Sequence, residues 1–93
     1  MYKQTVIVSN KNGIHARPSA EIVQEALKYK SDIRITNVKE DIVANAKAVL
    51  EVLQLAACYG VELTIEASGV DGEEAVNKVT DKIKEFAVRE EGA

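Results

Sequence analysis

Tryptophan is absent from this chain, and cysteine, histidine, proline, methionine and phenylalanine occur once each. A lone Cys58 excludes an internal disulfide, and one His with one distant Cys cannot supply the three or four ligands that zinc requires, so no metal is expected. No apolar run approaches the roughly 20 residues that a bilayer demands. Basic charge is also short: 12 Lys and Arg stand against 15 Asp and Glu, for a formal charge of −3. That balance lacks the clustered positive face of a nucleic-acid binder, so any anion must be held by a local site. The opening "MYKQTVIVSN" lacks the apolar core of a signal peptide, and a reducing cytoplasm is the expected location. Internal repeats, low-complexity tracts and linkers are missing too.

What remains is 93 residues, 46% apolar and 29% charged. A chain of this size buries roughly 60 to 70% of the surface its unfolded form exposes, enough for one core. A single domain over 1–93 is expected, punctuated by Gly13, Asn37, Gly60, Gly69, Gly72 and the terminal "EEGA". "YKQTVIVS" (2–9) is β-branched and strand-like, whereas "ARPSAEIVQEALKYK" (16–30) spaces Ile22, Val23, Ala26 and Leu27 as a helix does. "DIRITN" (32–37) alternates Ile33 and Ile35 with Arg34 and Thr36, and with "EDIVA" (40–44) it predicts a hairpin. "GVELTIEA" (60–67) puts Val61, Leu63, Ile65 and Ala67 on one face and Glu62, Thr64 and Glu66 on the other, where the two acids do no more than solvate an open face.

The last segment, 71–90, places Ala75, Val76, Val79, Ile83 and Phe86 on one stripe. Asp71, Glu73 and Glu74 sit in its first turn, where the helix dipole favours negative charge. The order is β-α-β-β-α-β-α, and one-sided strands put the helices on one face. The expected fold is α+β, an open-faced β-sandwich with a four-stranded antiparallel sheet and three helices on one side.

The segment "NAKAVLEVLQLAA" (45–57) predicts a helix whose only polar positions, Lys47, Glu51 and Gln54, form one narrow stripe. Leu50 and Leu55 fall on opposite flanks of it. The pattern fits either a short helix set deep in the sheet or an exposed apolar patch of the kind that docks a partner. Cys58 after it reads as a small core or half-buried residue, and Tyr2 and Tyr29 as packing residues.

The histidine and the proline meet in "NGIHARPSAEIV". Pro18 lacks a backbone N–H and is tolerated only in the first turn of a helix, so a helix begins near residue 16 with His15 at or beside its N-cap. Gly13 supplies the permissive backbone for the turn out of the first strand. A helix start offers unpaired amides, here those of Ala16, Arg17, Ser19 and Ala20, and the guanidinium of Arg17 adds a planar charged fork suited to phosphate oxygens. A hydrolase triad has the residue types but no recognisable spacing. A neutral imidazole can itself act as a covalent nucleophile, and a phosphoryl group is its natural cargo. A lone His at a helix start is commonly a solvated cap and an adjacent Arg plain surface; Gly, His, Arg and Pro together at this junction favour the anion site.

On these residues the chain resembles HPr, the histidine-containing phosphocarrier family of the bacterial phosphoenolpyruvate:sugar phosphotransferase system. The signature is G-[IL]-H-x-R-P, and "NAKAVLEVLQLA" and "GVELTIEASGVDGEEAV" are similar to the family's second helix and its last strand and helix start. The resemblance implies that His15 is phosphorylated on Nδ1 by enzyme I and passes the group to an enzyme IIA domain, with Arg17 neutralising it. The chain is then a carrier rather than an enzyme, monomeric and without a cofactor. It also implies docking through Val49, Leu50 and Leu53. Glu51 departs from the small residue common there, a charge inside that surface. The regulatory serine that an HPr kinase modifies in low-GC Gram-positive members is Ala48 here, with no Ser or Thr between 44 and 59. Two other readings share the residues: an HPr-like regulatory paralogue of a non-sugar branch, and an acylphosphatase-like hydrolase, which would want an Arg-containing phosphate loop that is not present.

Overall fold

A computed structural model describes the backbone of residues 1–92 and every side chain among them except those of Ala87 and of Glu90 to Gly92. Seven elements follow in the expected order: β1 (Tyr2–Ile7), α1 (Ala16–Ala26), β2 (Asp32–Asn37), β3 (Ile42–Asn45), α2 (Val49–Leu53), β4 (Glu62–Ser68) and α3 (Gly72–Gly92). The helix therefore runs into "EEGA", and Ala93 of that stretch lies outside the described residues. The strands form one sheet, β1-β4-β2-β3, antiparallel throughout. β4 slots between β1 and β2, so each of the two strand–helix–strand units spans a gap that the other fills.

Alternation decides which face is dry. Val6 of β1, Ile33 and Ile35 of β2, Ala44 of β3 and Leu63, Ile65 and Ala67 of β4 are buried under the helices, while Lys3, Thr5, Arg34 and Glu62 face outward. Ile22, Val23 and Ala26 from α1 and Ala75, Val76, Val79, Ile83 and Phe86 from α3 close the core from the other side. Non-polar packing of this kind contributes about 1.5 to 3 kcal/mol for each large aliphatic side chain buried.

The ends of β1, β3, β4 and α3 fall within two residues of the sequence reading, and the two shorter helices depart from it further. Helix α1 stops at Ala26 rather than residue 30, because after Leu27 the bonding shortens to three residues: Lys28 N–H donates to the Glu25 carbonyl and Tyr29 N–H to that of Ala26, each at 3.2 Å, and this tightened turn ends the helix. The second helix spans Val49–Leu53 rather than 45–57: Asn45 belongs to β3, Ala46 bonds its N–H to Ile33 of β2, and Ala56 adopts a left-handed φ of 54° that no helix continues through. Cys58 is exposed rather than half-buried, since it follows that reversal. Tyr29 packs against the core as a partly buried residue, while Tyr2 is largely exposed, with its ring over Gly72.

The turn that carries the chain from α1 into β2 is tied to the start of α3. Both Asp71 carboxylate oxygens accept from the backbone, one from Lys30 N–H at 2.8 Å and one from Ser31 N–H at 2.9 Å. The Ser31 hydroxyl donates to the same carboxylate, and these bonds hold the Asp71 carboxyl down at about 2. Gly69 allows the approach, for a Cβ there would sit 2.5 Å from Ser31 Oγ.

Candidate functional site at the start of α1

The site is built by a loop that is pinned before it reaches His15. Val8, fully buried, exchanges backbone bonds with the segment ahead of β4: its N–H donates to Val61 at 2.9 Å and its carbonyl accepts from Gly60 at 2.7 Å. Buried Asn10 closes the next turn, with its side-chain amide donating to the Gly13 carbonyl at 2.6 Å and its own carbonyl accepting from Gly13 N–H at 3.1 Å. Gly13 has a φ of 68°, and a Cβ there would lie 2.6 Å from the Ala57 carbonyl oxygen. That same oxygen accepts the Ile14 N–H at 2.8 Å, and the Ile14 side chain is buried. The residue before the histidine is thus fixed by backbone and by core.

His15 follows as the N-cap of α1, in extended conformation, and its ring is exposed. Its carbonyl accepts the Ser19 N–H at 2.9 Å, the first bond of the helix, and its imidazole makes no capping bond. The ring is therefore available to chemistry while its backbone is committed to structure. Pro18 and Ser19 are buried, and Ala16, Arg17 and Ala20 share the exposed side with His15. The set of free amides is smaller than the sequence reading gave. Ser19 N–H is consumed by His15, and Ala20 lies one residue deeper in the ladder, which leaves Ala16 and Arg17 as the donors ahead of it. Exposed imidazole, two amides at the positive end of a helix dipole and a guanidinium are groups that can together receive an anion, and a neutral imidazole can act as a nucleophile toward one.

Beside this site lies α2, which packs against α1. Val52 and Leu55 are buried, whereas Leu50 is 70% exposed and Val49 and Leu53 are each 39% exposed. The exposed-patch alternative is the one the fold adopts for Leu50. Leu55 escapes the flank because the helix ends first and its carbonyl is held by the Asn37 side-chain amide at 2.8 Å. Glu51 is exposed on the same helix, and its carboxylate is oriented toward β3 by accepting the Asn45 N–H at 3.0 Å. Ala48 is the N-cap of α2 and offers no side-chain cap.

Two contributors went unread in the sequence. Asn10 carried only the generic signal of an Asn before a Gly in a turn, and Ala57, whose carbonyl anchors Ile14, carried none. Among the described residues, no group of three or more His, Cys, Asp or Glu side chains is placed to hold a metal ion, and no helix is long and apolar enough to cross a membrane.

Fold and site together define a class: small open-faced α+β domains that display a single histidine at a helix start with an arginine beside it. The family model described as the PTS HPr component phosphorylation site matches residues 2–85. The chain belongs to the HPr family, the phosphocarriers of the phosphotransferase system. It is 36% identical over 86 residues to the phosphocarrier protein HPr of Neisseria meningitidis serogroup A, covering 92% of this chain and 94% of that one. Among solved structures, HPr from Thermoanaerobacter tengcongensis superposes with a TM-score of 0.85 at 34% identity, covering 95% of this chain and 97% of that one. Crh of Bacillus subtilis, described as a domain-swapped dimer, gives a TM-score of 0.72 at 38% identity over 91% of this chain and 95% of that one.

Proposed function

We propose that this protein carries a phosphoryl group on His15, taking it from an enzyme I charged with phosphoenolpyruvate and handing it to enzyme IIA domains in sugar uptake. The observation that carries the reading is the exposed, uncapped imidazole of His15 on a backbone pinned by Ile14 and Ser19. A ring nitrogen forms the bond to phosphorus as the donor's bond breaks, and retransfer reverses the step. Arg17 and the amides of Ala16 and Arg17 meet the charge on the phosphoryl oxygens. Val49, Leu50 and Leu53 supply the apolar area against which both partners dock. The chain turns over no small substrate, so it is a relay member rather than an enzyme, and it works in the cytoplasm where phosphoenolpyruvate is found. The monomer is the working unit, because histidine, arginine and docking residues all lie on one chain. With Ala48 at the regulatory position, an HPr kinase has no hydroxyl to modify on α2. The regulatory-paralogue reading rests on Ala48 and Glu51; the Asn45 N–H that donates to Glu51 orients the carboxylate and leaves its charge beside the docking residues.

The test is to mix the protein with enzyme I and phosphoenolpyruvate. One acid-labile phosphoryl group per chain is expected, absent in His15→Ala; a wild-type chain that takes up none refutes the reading.

A further inference from the structure

Helix α3 continues past residue 85, where the family match ends, and sets Arg89 against α1. Arg89 Nη1 donates to both carboxylate oxygens of Glu21, at 2.7 and 2.9 Å, and Nη2 donates to Glu85 one turn back on α3. The guanidinium carbon also lies 5.5 Å from the centroid of the Phe86 ring, and Phe86 is buried in the core. Two carboxylates and a fixed aromatic face hold one cation in place.

Glu21 stands four residues after Arg17 on α1. Positions four apart are neighbours on a helix face, about 5 to 6 Å between Cβ atoms, and opposite charges at that spacing pair with each other. The local sequence of α1 therefore allows an Arg17–Glu21 pair, in the weaker, base-first order. The structure does otherwise: Glu21 turns to Arg89, and among the described residues no ion pair engages Arg17. A residue 68 positions away overrides the local partner.

We propose that Arg89 is a positioning residue for the phosphoryl site: by holding Glu21 it keeps the Arg17 guanidinium uncommitted and neutralises a carboxylate one helical turn from it. The inference rests on the reading of His15 and Arg17 as that site. A released Glu21 competes with the phosphoryl oxygens for Arg17, because both are acceptors for the same fork, and its charge opposes the arrival of an anion. Arg89 and Glu21 are partly exposed, 46% and 26% by side chain, so the bridge does little for stability and its consequence falls on the site.

The experiment compares wild type with Arg89→Gln, Glu21→Gln and the double variant. Solvent exchange of the Arg17 Nε–H is read by nitrogen-15 NMR in the free protein, and phosphoryl uptake from enzyme I and phosphoenolpyruvate is timed beside it. Arg89→Gln is expected to slow Arg17 exchange and to slow uptake by roughly two- to fivefold, the scale of one surface charge pair. Glu21→Gln in that background returns both to wild-type values, although the bridge is equally absent. Arg17 exchange unchanged in Arg89→Gln, or a double variant as slow as the single, overturns the proposal, since a purely structural bridge is not rescued by removing its other half. A wild type that takes up no phosphoryl group refutes the carrier reading, and the NMR comparison still decides whether Arg89 frees Arg17.

Discussion

A single added carbon at residue 13 strikes the site harder than most changes to the side chains around it. Gly13 has a φ of 68°, and an alanine Cβ there lands 2.6 Å from the Ala57 oxygen that anchors Ile14. Gly13→Ala must strain the backbone or push Ala57 away and lose the Ile14 bond, and His15 is the next residue along. We expect a loss of about 1 to 3 kcal/mol in urea unfolding, with slower phosphoryl uptake; stability within about 0.5 kcal/mol of wild type shows that the loop relaxes without strain. At this scale the sequence was readable where chemistry is local. Gly13, His15, Arg17 and Pro18 announce a helix start with an exposed ring, because proline's missing N–H and glycine's missing Cβ act within a few residues. It was unreadable where the partner is remote: nothing in "NGIH" points to Ala57, and nothing in "PSAE" points to Arg89. Counting Ser19 and Ala20 as free donors overlooked that the helix uses its own amides from its fourth residue, Ser19, onward.

Helix α2 shows what an element's periodicity leaves out. The apolar pattern over 45–57 is consistent with one continuous helix, and a wheel drawn on that assumption sets Leu50 and Leu55 on opposite flanks. The segment instead finishes β3, makes five residues of helix and reverses at Ala56, whose φ of 54° has no signature in an alanine. The elements that periodicity did reveal, β2 and β4 by alternation and α3 by its helical stripe, are those whose buried face is decided by one neighbour layer. The short α2 also lacks a good start, for Ala48 caps it without a side chain while Glu51 occupies the third helical position. Ala48→Ser creates Ser-x-x-Glu, the pattern in which a hydroxyl meets the amide of the third helical residue. The substitution is expected to stabilise the protein by about 0.5 to 1 kcal/mol, read from the urea midpoint at unchanged slope. No gain means that Glu51, held by the Asn45 N–H, does not complete the box and that the hydroxyl adds nothing that water does not already give the first amides of α2.

At the scale of the whole molecule, the titrating groups that hold elements together set the pH range over which the fold is stable. Asp71 joins the α1–β2 turn to α3 with its carboxyl lowered from 3.8 to about 2, chiefly by the Ser31 hydroxyl and then by the Lys30 amide. Glu85 is also lowered, by Arg89 first. Glu25 is lowered as well: burial acts to raise it, and the Tyr29 hydroxyl and Lys28 together outweigh that. A carboxyl whose folded value is depressed contributes stability that is complete above its unfolded value and is lost as pH falls toward the folded one. Tyr29 runs the other way, since burial and then its bond to Glu25 raise its hydroxyl above 10.0, so its contribution is complete below that value and fades as pH rises beyond it. The melting temperature is therefore expected to be flat from about pH 5 to pH 10 and to fall on both sides. Asp71→Asn separates the parts, because an amide does not titrate; its single oxygen keeps the Ser31 side of the cradle and gives up the bond from Lys30 N–H, so the variant is also less stable at neutral pH. Its acid limb between pH 3.8 and about 2 should be shallower than that of the wild type, with the alkaline limb untouched. Tyr29→Phe should flatten the alkaline limb and also make the acid limb shallower, because it removes the bond that does most to hold the Glu25 carboxyl down and so shrinks the difference between its folded and unfolded values. Identical acid limbs in wild type and Asp71→Asn would assign acid unfolding to Glu25 and Glu85 and leave the link between the α1–β2 turn and α3 to its hydrogen bonds alone.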